Sequence, residues 1–151
     1  MTEERIAYFT RKITESNRSG IIVAMYEIFF EYLDESTGDK GVLVGPVRKA
    51  GTVLEHLKDA LDFSYEISNN LFALYDFCQR MLAKAIYKNS AEPLDIARKI
   101  MSELYESFVE VAKTDTSETM MKSTQKVTAG MTYGRNSLTE TVNDNNRGFL
   151  A

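Results

Sequence analysis

Apolar residues recur every three or four positions through most of this chain, and short clusters of Gly, Pro, Ser and Asn separate the runs. After Ser16, read as an N-cap, a first helix carries Ile22, Met25, Phe29 and Leu33, widened by Ile21, Tyr26, Ile28 and Tyr32. Ser36-Thr37-Gly38-Asp39 ends it. A second run starts between Leu43 and Pro46, since proline is tolerated in a first turn, and presents Leu43, Val47, Ala50, Leu54, Leu57 and Leu61. Gly51 interrupts it at a cost of about 1 kcal/mol relative to alanine, which implies close packing or a weak point there. A third run follows a link at Asp62 to Glu66. It shows Ile67, Leu71, Leu74, Cys78, Met81 and Ala85, broadened by Tyr75 and Leu82. Asn89-Ser90 closes it. A fourth, with Pro93 in its first turn, shows Leu94, Ala97, Met101, Leu104, Phe108 and Val111.

Three successive stripes with a period near 3.5 describe helices that pack at shallow angles, and short links favour antiparallel neighbours. The expected fold is all-α, an antiparallel up-down four-helix bundle with a short N-terminal cap segment and an irregular C-terminal tail. Residues 1–113 form the bundle domain, with the cap at 1–15, and residues 114–151 form the tail. No run alternates with period two, so no sheet is expected. The tail is rich in Thr, Ser, Asn and Gly and keeps no helical stripe. Composition describes it as disordered, unless it docks through its scattered apolar residues.

Composition narrows the function classes. The 151 residues carry a formal charge of −4 and no long Lys/Arg cluster, so nothing favours nucleic acid. Cys78 is the one cysteine, which rules out an intrachain disulfide and fits a reducing compartment. The start, Met1-Thr2-Glu3-Glu4-Arg5, has no apolar signal region, and no apolar run approaches the roughly 18–20 residues that span a bilayer. The expectation is a soluble, cytoplasmic protein that engages no membrane.

Catalytic chemistry finds no foothold. A di-metal bundle needs two Glu-x-x-His motifs, whereas the lone His56 has Val53 three residues before it. His56 reads as a boundary residue and Cys78, on an apolar stripe, as a buried structural thiol. No phosphate-binding glycine loop or nucleophile–base constellation is present. The expectation is no enzyme, no cofactor and no metal. The residual oddity is aromatic: Tyr8, Phe9, Phe63, Tyr65, Phe72, Phe77, Tyr87 and Tyr105 fall outside or at the edge of the stripes. They either widen the core or line a groove for a partner segment.

The third and fourth runs supply a resemblance. Asn70-Leu71, Leu74-Tyr75, Phe77, Arg80, Leu82, Ala85 and Asn89, with Ala7-Tyr8, Ala24-Met25-Tyr26-Glu27 and Leu61-Asp62 before them, resemble the pattern of the FliS family of flagellin export chaperones. The likeness spans roughly residues 6 to 113. Departures are Ser16-Asn17-Arg18-Ser19-Gly20 in place of a Ser-Pro-Glu type start, Phe108 in place of a tryptophan, and Cys78 in place of a methionine. The last two are compatible with a core.

The resemblance implies a cytoplasmic export chaperone that binds the C-terminal region of flagellin, prevents premature polymerisation and keeps it competent for export. It implies Tyr8 as a movable cap, and the groove is expected to draw on Leu54, Leu57, Leu61, Leu71 and Tyr75. A co-chaperone or export-gate contact and a homodimer stay open. The alternative is a non-enzymatic helical module that self-associates through its apolar faces. The tail suggests a further role: Val127 to Phe149 as a placeholder in the flagellin groove of its own or a neighbouring chain.

Overall fold

The computed structural model describes residues 1–120. The expectations placed on Val127 to Phe149 therefore lie outside the described residues. Within them the chain forms five helices and one minute hairpin: α1 (Glu3–Glu15), α2 (Arg18–Asp34), β1 (Thr37–Gly38), β2 (Gly41–Val42), α3 (Val44–Asp59), α4 (Ile67–Lys88) and α5 (Glu92–Thr114).

The segment expected as a short cap is a helix. Thr2 caps it by accepting the Arg5 N–H, and Glu3 and Glu4 suit the positive end of its dipole. It runs antiparallel along α2, joined by ion pairs from the Met1 amino group to Glu35 (2.6 Å), Arg5 to Glu31 (2.5 Å) and Lys12 to Glu27. Its buried residue is Phe9. Partial burial opposes the Lys12 charge, but the bond to Glu27 and the surrounding negative charge outweigh it and raise its pKa.

The N-cap of α2 is Asn17, not Ser16: Asn17 Oδ1 accepts the Gly20 N–H at 3.0 Å. Ser16 instead closes α1, its hydroxyl bonded to the Lys12 carbonyl. Gly20 is required by this junction, because a Cβ there would lie 2.9 Å from Ser16 Cβ.

The expectation of no sheet fails at one place. Thr37 pairs with Val42 and Gly38 with Gly41 in a two-residue antiparallel ladder. The α4 C-cap, Asn89, holds this hairpin from outside: in the left-handed region (φ 48), it accepts the Val42 N–H at 2.8 Å and donates to the Lys40 carbonyl. Gly41 has φ +107, and a Cβ would fall 2.4 Å from Asn89 Oδ1, so glycine is doubly required.

Helices α2 and α3, α3 and α4, α4 and α5, and α5 and α2 pack against one another, while α1 packs on α2. Contacts give direction: Lys58 meets Asp76 and Glu55 meets Gln79, so α3 and α4 run oppositely. Arg98 meets Asp34 and Ser19 meets Asp115, so α5 and α2 do too. The core combines Tyr26, Phe29 and Leu33 with Val47, Ala50, Leu54 and Leu57, then Leu71, Tyr75, Cys78, Leu82 and Ala85, then Leu94, Ala97 and Met101. On α4 the buried line passes through Tyr75 and Leu82, with Leu74 and Met81 beside it. Gly51 is not a close-approach position, since a Cβ there meets only Leu82 Cδ1, at 3.9 Å.

Candidate functional site

The apolar stripes run further along the helix axes than the burial does. At the end where α2 and α4 begin and α3 and α5 finish, Leu61 and Phe108 are only partly buried and Ile67 is 63% exposed. Between them opens a cleft of about 380 Å³. Leu57, Leu71 and Tyr75, all nearly inaccessible, form its floor; Ile22, Leu61, Ile67 and Phe108 line its sides; Tyr65 and Arg18 stand at its rim.

The link between α3 and α4 shapes the rim. Asp62 accepts the Ser64 N–H (2.9 Å) and hydroxyl (2.6 Å), a local turn that holds its carboxyl below the usual carboxylate range. Ser68 Oγ donates to the Asp62 carbonyl at 2.6 Å, tying the link to the first turn of α4. Arg18 Nη2 caps the end of α3 by donating to the Ala60 carbonyl at 2.9 Å. This leaves Phe63, Tyr65, Ile67 and Phe72 exposed as one apolar face beside the cleft. Phe63 and Phe72 meet edge to face at 6.0 Å, and the Lys58 ammonium, paired with Asp76, lies 4.7 Å from the Phe72 ring centre.

The cleft floor is anchored by a buried polar pair. Tyr26 and Tyr75 share a 2.7 Å hydrogen bond between their hydroxyls. Burial pushes both phenols upward, Tyr26 strongly, so both stay neutral. Tyr105 and Phe108 stack or tilt against the Tyr26 ring.

Of the six residues expected at a partner site, Leu57, Leu61, Leu71 and Tyr75 line this one cleft. Leu54 is fully buried and does not. Tyr8 lies on α1, 44% exposed, with its ring against Phe9 and the Arg5 guanidinium 4.9 Å from its centre; the buried residue of α1 is the neighbouring Phe9, and neither lines this cleft. Sequence reasoning set aside Phe63, Tyr65 and Phe72 as unassigned aromatics and did not find Arg18. Aromatics clustered at a link, off every stripe, were the available signal.

Two other depressions lie elsewhere. One, of about 350 Å³, involves Ile13, Met25, Ile28, Tyr32 and the exposed His56. The other, of about 440 Å³, lies between α3 and α4 near Gly51 and Gln79. Cys78 is fully buried and its thiol is pushed up to about 12, so it is not a nucleophile at neutral pH. Among the described residues no group of His, Cys, Asp and Glu is arranged to hold a metal, and no helix is long and apolar enough to cross a membrane.

The family model described as Flagellar protein FliS matches residues 2–115, and the chain belongs to the FliS family. Neither a curated protein nor a solved structure matches it.

Proposed function

We propose that this FliS-family chain is a cytoplasmic export chaperone that binds the C-terminal region of flagellin, with no catalytic step. The observation that carries this reading is the cleft with its exposed aromatic face, in a chain of a flagellar protein family. The reading takes α2 to α5 as an antiparallel four-helix bundle and residues 1–113 as the chaperone domain, with α1 as its cap.

A cleft of 380 Å³ takes a few side chains, not a whole helix. An amphipathic segment would seat its anchors over Leu57, Leu61, Leu71 and Tyr75 and run across Phe63, Tyr65 and Phe72. Covering the segment in this way blocks the surface through which it would polymerise. Of the ion pairs that hold α1, Arg5–Glu31 is a surface pair worth about 1 kcal/mol or less and the others are only partly buried, so α1 with Tyr8 suits a cap that yields to a tighter partner.

The test is calorimetric titration of the chain with the C-terminal segment of flagellin from the same organism. The expected result is saturable 1:1 binding with a large negative heat-capacity change, the mark of coupled folding and burial. Tyr65→Asp, at an exposed rim position, should weaken binding at least tenfold with an unchanged unfolding midpoint. No heat and no complex in gel filtration would overturn the reading. A mass that rises with concentration would then favour the self-associating module.

A further inference from the structure

We propose that residues 121–151 of the same chain are the resting occupant of this cleft, which an incoming partner must displace. The occupancy stands independently of the flagellin reading; only the identity of the displacing partner rests on it.

The first argument is where the described chain ends. After α5 the backbone folds back across the start of α2. The Asp115 carboxylate accepts from Ser19 Oγ at 2.5 Å. Asn17 Nδ2 donates to the Asp115 and Ser117 carbonyls at 3.3 and 3.2 Å, and the Met120 N–H reaches the Ser16 carbonyl at 3.3 Å. Asp115 thereby sits at the positive end of the α2 dipole. Ser16 is two residues from Arg18, which lines the cleft, so the strap leaves Met120 bonded close in sequence to a rim residue. From there 31 residues remain. An extended chain advances about 3.3–3.6 Å per residue, so a minority of them suffice to cross the opening.

The second argument is charge. Residues 121–151 carry four basic residues (Lys122, Lys126, Arg135, Arg147) against two acidic ones (Glu140, Asp144). Residues 1–120 hold the other 14 basic and 20 acidic residues. A net-basic segment is tethered to a net-acidic body, and the end of α3 and the link at the cleft carry Asp59, Asp62 and Glu66.

The third argument is spacing and tethering. Met131, Tyr133, Leu138 and Phe149 are scattered among mostly polar residues. They suit separate insertions of side chains between exposed aromatics. A tether that starts near the rim also gives an effective concentration on the order of millimolar, which favours the chain's own segment over that of a second copy.

The experiment uses the full chain with Tyr65 replaced by the photo-cross-linker benzoylphenylalanine. The expected product is an intramolecular cross-link to residues 127–149, in monomer and with a yield independent of protein concentration. The same replacement combined with Tyr133→Asp and Phe149→Asp should lose it. Cross-links confined to residues 1–120, no cross-link, or covalent dimers whose yield rises with concentration would each overturn the proposal. Added flagellin C-terminal segment should suppress the cross-link, and the Tyr133→Asp/Phe149→Asp chain with native Tyr65 should bind that segment at least threefold tighter. A tail cross-link that forms without any binding of flagellin would uphold the occupancy and overturn the flagellin reading. Tight flagellin binding with no tail cross-link would do the reverse.

Discussion

The Tyr26–Tyr75 pair gives the sharpest test of how core and cleft are joined. Both rings are essentially inaccessible, and each hydroxyl has the other as its hydrogen-bond partner at 2.7 Å. Tyr75→Phe keeps the ring that floors the cleft but strands the Tyr26 hydroxyl in the core. Leaving a buried polar group without a partner costs about 1–3 kcal/mol, and Tyr26→Phe should cost about the same for the opposite reason. The double Phe variant strands nothing. It forfeits only the net bond, worth about 0.5–1.5 kcal/mol with the hydroxyls' desolvation already counted, so it should lie within about 1.5 kcal/mol of the parent. The singles are therefore expected to exceed the double, a coupling of at least about 1–3 kcal/mol. At this chain length each kcal/mol moves the thermal midpoint by about 2–4 °C.

Urea unfolding of the four proteins, followed by far-UV circular dichroism, measures the cycle. Additivity within about 0.5 kcal/mol would refute the reasoning, because it would mean that water entering by the cleft satisfies each stranded hydroxyl. Binding of the flagellin segment supplies the second readout. Tyr75→Phe should leave it within about twofold, since the face offered to the cleft is the ring and the hydroxyl is held by Tyr26.

Two further outcomes are expected. Gly51→Ala should stabilise the chain by about 0.5–1 kcal/mol in the same urea assay, because the new methyl meets Leu82 at ordinary contact distance and removes a flexible residue from mid-helix; a lower midpoint would refute it. Hydrogen bonds from Ser117 and Ser19 pull Asp115 down to about 2, so its contribution to the strap is full above the ordinary value of 3.8 and is lost as pH falls toward 2. The Asp115 carboxyl shift and the Ser117 and Met120 amide shifts, followed by NMR, should titrate in that window, and a midpoint near 3.8 would count against the bonds.

Periodicity read the angular position of most side chains around their helices, and much less of the remainder. On α3, Val47, Ala50, Leu54 and Leu57 are buried at the spacing that marked them. On α4 the buried line runs through Tyr75 and Leu82, because a strict 3.5 repeat drifts against a 3.6-residue helix and a phenol that can find a buried partner belongs in the core. The helix α1 was missed for a different reason: its stripe is short, Ile6, Phe9 and Ile13, with only Phe9 fully buried and Ile13 partly so beside Met25 and Ile28. The rest of its docking is by ion pairs, which leave no periodic signal. The hairpin has two residues per strand, too short for any alternation to register.

The site was half legible because a stripe reports which way a residue faces and not how far along the axis the neighbours still cover it. Leu54 and Leu61 fall on one predicted stripe, yet Leu54 is sealed within α3, whereas Leu61 lies past its end and borders the cleft. What decides between them is the links. At one end Asn89 clasps the hairpin to the close of α4, and α5 starts within a few residues. At the other, the turn built on Asp62 and Ser64 carries residues 60–66 outward with Phe63 and Tyr65 exposed, and the last turns of α3 and α5 lose cover. An apolar stripe continued past its own burial places hydrophobic side chains where folding gains little from them. Their contribution is recovered only when another segment lies over them. That end is also where the Asp115–Met120 strap crosses the start of α2, and where the proposed amphipathic partner would find its anchors. If both proposals hold, the chain's own C-terminal segment and its client compete at this one accessible end of the helices for the same few side chains.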